Sequence, residues 1–266
     1  MITYKAPFRK ILCTKLSILL GLLISIFACN KKEDASDTST ANKKRDRYLI
    51  HKNIPAAQID GLIWMRHNLG VDTKLEPNPK KIDSKWHGNY YQWGQKKPSG
   101  NGVANKATFF NPSNNPPNNT WNAGTEEKPI KTSSDPCPDG YRIPTVLEFE
   151  RLIKATKTVN LGTFKSLNSN FGAAKLFVSK TDKQIYLTFP IQGFLKVNHQ
   201  EVNEPPYTDR GVTSRGYASY YFSSFSSDSH FIRELFINQG TTLSITPGDR
   251  KNYAKANSST IRCIAE

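Results

Sequence analysis

The stretch DPCPDGYRIPTVLEF, residues 135–149, decides the fold predicted for this chain. Its prolines and its glycine indicate a turn that leads into a helix. Thr145 is placed to cap that helix, and Glu148, three residues on, completes a capping box. Three apolar residues at helical spacing form one face: Phe149, Leu152 and Ile153. The stretch therefore predicts a helix that begins after Thr145 and ends near Lys157.

On both sides of this helix, short runs of β-branched and aromatic residues alternate with turn residues, a pattern typical of strands. The predicted strands are Leu62–Asn68, Asn89–Trp93, Gln184–Phe189, Gly193–Val197, Gly216–Phe225, His230–Asn238, Thr241–Ile245 and Ser259–Ile264. One principal helix with several short antiparallel strands indicates an α+β domain.

The N-terminal segment resembles a bacterial lipoprotein signal. Residues 1–28 carry four cations and no acid, and their apolar run, Leu16–Ala28, is shorter than the about 20 residues that span a bilayer. Ile26-Phe27-Ala28-Cys29 resembles a lipobox, in which Cys29 is acylated and becomes the mature N-terminus. An ordinary secretory signal and an uncleaved signal anchor are the alternatives, but neither explains the cysteine at the end of the apolar run.

The residues after Cys29 predict an export signal and a tether. Lys32-Glu33-Asp34 resembles the surface-export signal of Bacteroidetes lipoproteins, which favours the outer face of the outer membrane. Residues 29–47, polar and without apolar periodicity, are predicted to be the lipidated cysteine and a flexible tether. The globular domain is predicted over residues 48–266, interrupted near 95–134 by an exposed insertion loop rich in Asn, Pro, Gly and Lys.

Net charge limits the classes of partner. The full chain carries +15, and removal of residues 1–28 leaves +11. A basic surface near an outer membrane favours anionic polysaccharide, lipopolysaccharide phosphate or acidic glycans. The cations are scattered and no nucleic-acid-binding motif accompanies them, so nucleic acid is not predicted as a partner.

Two cysteines, Cys137 and Cys263, remain in the mature domain. In an exported protein a disulfide between them is the economical interpretation. Two free thiols or a metal pair are poorer alternatives, because neither cysteine has a Cys or His partner at ligand spacing.

The quoted stretch also resembles the signature of the Fibrobacter succinogenes major paralogous domain (FISUMP), which is common in Bacteroidetes lipoproteins. Further segments agree in order: Gly61–Met65 with Asn68–Gly70, Gly88–Gly94, Phe189–Phe194, Tyr220–Ser224 and Ile261–Ile264. The resemblance covers roughly residues 58–266. It implies a C-type lectin-like fold, in which a cysteine near the principal helix pairs with one in the terminal strand.

Structural roles are predicted for most of these motif residues. Four large aromatics are expected in the core: Trp64, Trp93, Phe149 and Tyr221. Gly193 and Gly216 are expected to serve turns.

The lectin resemblance raises calcium as a cofactor, and the sequence gives it little support. Glu76-Pro77-Asn78 lies before the helix, on the wrong side of the topology for a lectin calcium loop. Asn203-Glu204-Pro205 with Asp209 supplies oxygen ligands in a better loop but lacks the lectin pattern. No cofactor and no metal site are therefore predicted.

An enzyme is not predicted either. The helix stretch also resembles part of the formylglycine-generating enzyme fold, but the segments occur in reversed order and that chemistry needs a reactive cysteine pair. The five histidines show no metal-ligand spacing and have no nucleophile motif beside them.

The sequence thus predicts a surface lipoprotein with a non-catalytic binding or adhesion domain, for glycans or a surface protein. The candidate binding residues are Trp121 in the insertion loop and, in the loop from His199 to Arg215, Tyr207, Asp209 and Arg210. A structural subunit of a surface assembly is the main alternative, and an uncharacterised hydrolase is a third.

Overall fold

The computed structural model describes residues 45–109, 111, 114–196, 211–226, 232–240, 244–247 and 255–266. The predicted signal peptide, Cys29, Lys32-Glu33-Asp34 and the tether as far as residue 44 lie outside the described residues. Among the described residues, no helix combines the length and the apolar character that a membrane span requires.

The described residues form fifteen strands, one α-helix and one 3-10 turn. The strands are β1 (Arg47–His51), β2 (Ile54–Ile59), β3 (Leu62–Met65), β4 (Tyr91–Gln92), β5 (Tyr141–Arg142), β6 (Thr156–Leu161), β7 (Ala174–Ser179), β8 (Tyr186–Pro190), β9 (Phe194–Leu195), β10 (Val212–Thr213), β11 (Ala218–Ser226), β12 (Ile232–Asn238), β13 (Ser244–Pro247), β14 (Ser258–Ser259) and β15 (Ile264–Ala265). The helix α1 spans Val146–Ala155, and the 3-10 turn spans Ser84–Trp86. Four sheets result, with strand orders β1-β2-β3-β15-β5, β10-β9-β14-β4, β11-β12-β13 and β6-β7-β8.

The predicted α+β class, and with it the C-type lectin-like fold, was wrong. The described part of the chain is mostly β, with 7% of those residues in helix and 36% in strands. Helix α1 ends at Ala155, because Thr156 already begins β6, whose β-branched residues pair with β7 along its whole length. The sheets are antiparallel throughout their described pairs, and one ten-residue helix packs against them.

Two hairpins at the N-terminal edge were missed by the sequence analysis. Lys52 and Asn53 join β1 to β2 with φ of 47° and 62°, and Asp60 and Gly61 join β2 to β3 with φ of 50° and 79°. Positive φ at both central residues is the type I′ turn that matches the twist of paired strands. Asp-Gly between two apolar runs is its strongest sequence signal, so this hairpin was predictable.

Each of the eight predicted strands contains part of an observed strand. The prediction of Ser259–Ile264 as one strand was wrong, because its two ends belong to β14 and β15 in different sheets. The strands β5, β6, β7 and β10 were not predicted, since their short or mixed sequences give no clean alternation.

Helix α1 begins as predicted, and its capping box is confirmed. The Glu148 amide donates to the Thr145 hydroxyl at 3.4 Å, and the Thr145 amide donates to the Glu148 carboxylate at 2.8 Å. Glu126 adds a second carboxylate at this end, accepting from the Val146 amide at 2.9 Å. Glu148 also pairs with the Arg142 guanidinium at 2.6 Å in a buried contact. These bonds satisfy amides that a helix start leaves open.

The turn before the helix is held by a carboxylate and an ammonium. Asp135 accepts from the amides of Cys137 and Ile143, both at 2.8 Å. The Lys131 ammonium donates to three backbone carbonyls, those of Cys137, Pro138 and Tyr141. The predicted disulfide between Cys137 and Cys263 is present, and both cysteines are buried. It joins this turn to the residue before β15.

The predicted exposed insertion over residues 95–134 is in fact partly buried. Ser99, Asn114, Trp121 and Asn122 are each at most 5% exposed. The Asn114 amide group donates to the carbonyl oxygens of Trp93 at 2.8 Å and Lys255 at 2.6 Å. Side-chain amides therefore satisfy the backbone of neighbouring loops here, which lets a segment without regular structure pack against the sheets.

Candidate functional site

The predicted binding residues do not form one site in the described structure. Trp121 has no exposed surface, because its ring packs 5.1 Å from that of Trp93 and 5.9 Å from that of Phe222. It belongs to the core and is not available to stack on a ligand. Tyr207, Asp209 and Arg210, together with the candidate calcium ligands at 203–205, lie outside the described residues.

Three other loops do converge on one surface, and they span residues 101–106, 163–170 and 213–217. We call this the three-loop surface. The first loop falls within the predicted insertion and the third lies at the end of the predicted 199–215 loop. Backbone contacts join the first loop to the start of the third. Lys106 forms an antiparallel β-bridge with Gly211, and the Val212 amide donates to the Asn105 carbonyl at 2.8 Å.

Arg215 holds the three loops together from below. Its side chain is fully buried. The guanidinium donates to the first loop at the carbonyl of Ala104 (2.7 Å) and the Asn105 side chain (2.8 Å), and to the second loop at the carbonyl of Asn168 (2.6 Å). It also lies 4.5 Å over the Phe171 ring. One buried cation thus fixes the spacing of all three loops through carbonyl and amide oxygens.

In the third loop, positive φ values accompany the change from the buried Arg215 side chain to the exposed Tyr217 side chain two residues later. Ser214 has φ of 60° and Gly216 has φ of 75°, so the residues on both sides of Arg215 adopt the left-handed conformation. A side chain at Gly216 would also collide with the amide of Asn170. The prediction that Gly193 and Gly216 serve turns is confirmed by their positive φ.

The outer face of the three-loop surface carries apolar tips among polar side chains. Tyr217, Val103 and Leu167 are 48%, 50% and 46% exposed. The exposed polar side chains around them belong to Asn101, Asn105, Lys106, Lys165, Ser166, Asn168 and Ser169. The tips of the second and third loops lie close together, since the Leu167 amide donates to the Arg215 carbonyl at 3.1 Å.

The exposed charged side chains of these three loops are both positive, Lys106 and Lys165. The three loops contain no Asp or Glu, while they contain the cations Lys106, Lys165 and Arg215. Beneath them, Tyr90 donates to the Gln192 carbonyl at 2.6 Å, and burial raises the pKa of its phenol, so it adds no negative charge. Residues 101–106, 163–170 and 213–217 therefore offer a ligand an aromatic ring, side-chain amides and ammonium groups, and none of them supplies a carboxylate.

One residue from each of four FISUMP-like segments lies in a buried polar network away from the three-loop surface: Asn68, Gln192, Tyr221 and Arg262. Asn68 donates to Gln192 and to the Tyr221 hydroxyl, both at 3.2 Å, and accepts from the Arg262 guanidinium at 2.6 Å. Tyr221 donates in turn to the Pro190 carbonyl at 2.8 Å. None of these four side chains is more than 1% exposed, so they link the sheets and do not reach a ligand.

No cluster of three or more His, Cys, Asp or Glu side chains able to hold a metal ion occurs in the described part of the chain. Two buried histidines, His67 and His87, have pKa values lowered to about 4 and about 3, chiefly by burial. His67 lies against Trp86 with ring centroids 5.1 Å apart, and His87 contacts the Phe171 carbonyl at 3.1 Å. Both are packed neutral rings in the fold.

No protein-family model, no curated protein and no solved structure matches this chain. Sequence reasoning missed Lys165, Asn168 and Tyr217, although a Ser/Asn-rich segment between strands and a tyrosine beside a glycine turn were visible signals.

Proposed function

We propose that this protein is a lipid-anchored lipoprotein of the outer membrane, displayed at the cell surface, whose domain binds an acidic glycan without catalysing a reaction. The observation that carries the binding proposal is the three-loop surface, where exposed Tyr217 lies among amide and ammonium groups with no carboxylate in the same loops. The lipoprotein proposal is supported by the lipobox-like Cys29, by Lys32-Glu33-Asp34 and by the resemblance to FISUMP lipoproteins.

The chemistry of the surface suits an acidic sugar chain. A tyrosine presents an apolar ring face for the C–H face of a pyranose and a hydroxyl for its edge. Side-chain amides such as Asn105 and Asn168 both donate and accept, which matches sugar hydroxyls. Lys165 and Lys106 supply the attraction to carboxylate or sulfate groups, which is long-ranged at low salt.

Binding should fall strongly when the ring is removed. We expect Tyr217→Ala to weaken binding of an acidic oligosaccharide, with polygalacturonate fragments as the probe, by about 2 kcal/mol, or roughly 30-fold. At low salt, Lys165→Glu should weaken the affinity for the acidic oligosaccharide more than Tyr217→Ala does. Near 1 M salt, where the Debye length is about 3 Å, most of the loss caused by Lys165→Glu should disappear. Isothermal titration calorimetry measures both, with neutral dextran fragments as the reference ligand.

Lys128→Glu and Ile50→Ala serve as matched controls, because both side chains are exposed outside the three loops. Equal affinity for acidic and neutral fragments, or equal loss from the control variants, would contradict the proposal. The structural-subunit alternative is favoured by the exposed apolar tips of Val103 and Leu167. Sedimentation of the same samples would reveal it as self-association that Leu167→Asp abolishes.

A further inference from the structure

A second surface lies where the chain enters the described domain, beside the C-terminal end of α1. It contains a pocket of about 320 Å³. The pocket is lined by Asp46, Asp60, Lys154, Ala155, Lys180 and Thr181. Together with Arg45, which precedes it, we call this the entry face.

The two carboxylates of the entry face are engaged by the protein. Asp46 accepts from the Asp60 amide at 2.9 Å, the Ser179 hydroxyl at 2.6 Å and the Thr181 hydroxyl at 2.8 Å. Asp60 forms an ion pair with the Arg151 guanidinium at 3.2 Å. Because these donors already satisfy the acids, the acids are poorly placed to recruit a cation.

The cations of the entry face are better placed for an external partner. Lys180 is exposed, and its ammonium is held at the helix end by the Lys154 carbonyl at 2.6 Å. This contact uses one of its three donors. The Lys154 side chain is exposed and has no ion pair with any residue in the described ranges. Arg45 is 89% exposed and lies 3.9 Å from Asp182, which leaves most of its guanidinium open to solvent.

The short stretch of chain between Cys29 and the entry face points to a membrane surface as the partner. If Cys29 is acylated, as the proposed function states, only fifteen residues separate the lipid from Arg45. Even fully extended, fifteen residues reach at most about 50 Å, so the entry face stays near the bilayer at a high effective concentration. We propose that Arg45, Lys154 and Lys180 bind the phosphate groups of an anionic lipid surface and so orient the domain, with the entry face against the membrane.

Hydrogen exchange on the lipidated full chain in vesicles tests this proposal. Peptides covering residues 151–157 and 179–183 should exchange more slowly on vesicles of phosphatidylcholine with phosphatidylglycerol than on phosphatidylcholine alone. Each cation near an anionic surface changes the ratio of docked to undocked protein roughly fivefold. That ratio should therefore fall by at least about 25-fold in the Arg45→Glu/Lys154→Glu variant. Salt near 1 M should abolish the difference.

Lys97→Glu/Lys128→Glu is the matched control, because it reverses two exposed cations outside both surfaces, and it should leave the protection unchanged. Equal exchange on neutral and anionic vesicles, or full protection in the double variant, would overturn the docking proposal. Protection by inorganic phosphate without vesicles would also overturn it in favour of a small-anion site. Failure of the anchor is separable, because the wild-type chain would then pellet with membranes no better than Cys29→Ala.

Discussion

Replacing Arg262 by methionine should lower the free energy of unfolding by about 3–5 kcal/mol, because three buried acceptors lose a charged donor and each unsatisfied buried group costs about 1–3 kcal/mol. Arg262 is fully buried, and its guanidinium donates to the Asn68 side chain at 2.6 Å, the Thr188 carbonyl at 2.6 Å and the Met65 carbonyl at 3.0 Å. Methionine fills the space but donates nothing, so these acceptors lose their donor in a place that water does not reach.

Urea unfolding followed by tryptophan fluorescence measures this change. Arg151→Met is the matched control, because Arg151 is exposed and its pair with Asp60 should contribute at most about 1 kcal/mol. A loss below 1 kcal/mol for Arg262→Met would mean that the buried network does not hold the sheets together, and that the cation is only tolerated there.

Acid should destabilise the fold well before its surface carboxylates titrate. Burial, and to a smaller extent the Arg262 guanidinium, lower the pKa of His67 to about 4, and burial lowers the pKa of His87 to about 3. In the unfolded chain both rings have a pKa of about 6.5. Between these values the unfolded state binds protons that the folded state does not, so stability falls as the pH falls below about 6.5.

The expected loss is about 2 kcal/mol per histidine at pH 5, or about 4 kcal/mol together, at about 1.4 kcal/mol per pH unit. Asp135 acts in the opposite direction, because burial raises its pKa to about 6 and its protonation favours the folded state. That gain is about 1–2 kcal/mol at pH 5, which leaves a net loss.

Unfolding midpoints measured from pH 8 to pH 4 test this prediction. The midpoint should drop most steeply below pH 6.5, and the double variant His67→Gln/His87→Gln should flatten that slope even though it is less stable at pH 8. A wild-type midpoint that stays constant from pH 8 to pH 5 would contradict the prediction.

The parts of the fold that sequence could predict are those fixed by nearby residues. Thr145 and Glu148 form a capping box within three positions, so the start of α1 followed from local chemistry. Trp64 and Trp93 are fully buried as predicted, because large aromatics have few other places in a domain of this size. The Cys137–Cys263 pairing needed only the observation that they are the two cysteines after residue 29.

The parts that could not be predicted depend on distant partners. Arg262 meets Asn68 across 194 positions, and no local pattern marks an arginine that is satisfied by carbonyls instead of acids. Trp121 seemed exposed because Asn, Pro and Gly surround it, yet side-chain amides bury that segment. The three-loop surface is similarly non-local, since Arg215 joins residues 47 and 110 positions away.

The measurement that tests the binding account most directly is a hydrogen-exchange footprint of an acidic oligosaccharide on the full chain. We expect slower exchange within residues 101–106, 163–170 and 213–217 when the acidic oligosaccharide is bound. This protection should be lost in Tyr217→Ala and should not occur with a neutral fragment. Protection confined to other residues, or no protection at concentrations that saturate the calorimetric titration, would contradict the assignment of the three-loop surface as the binding site.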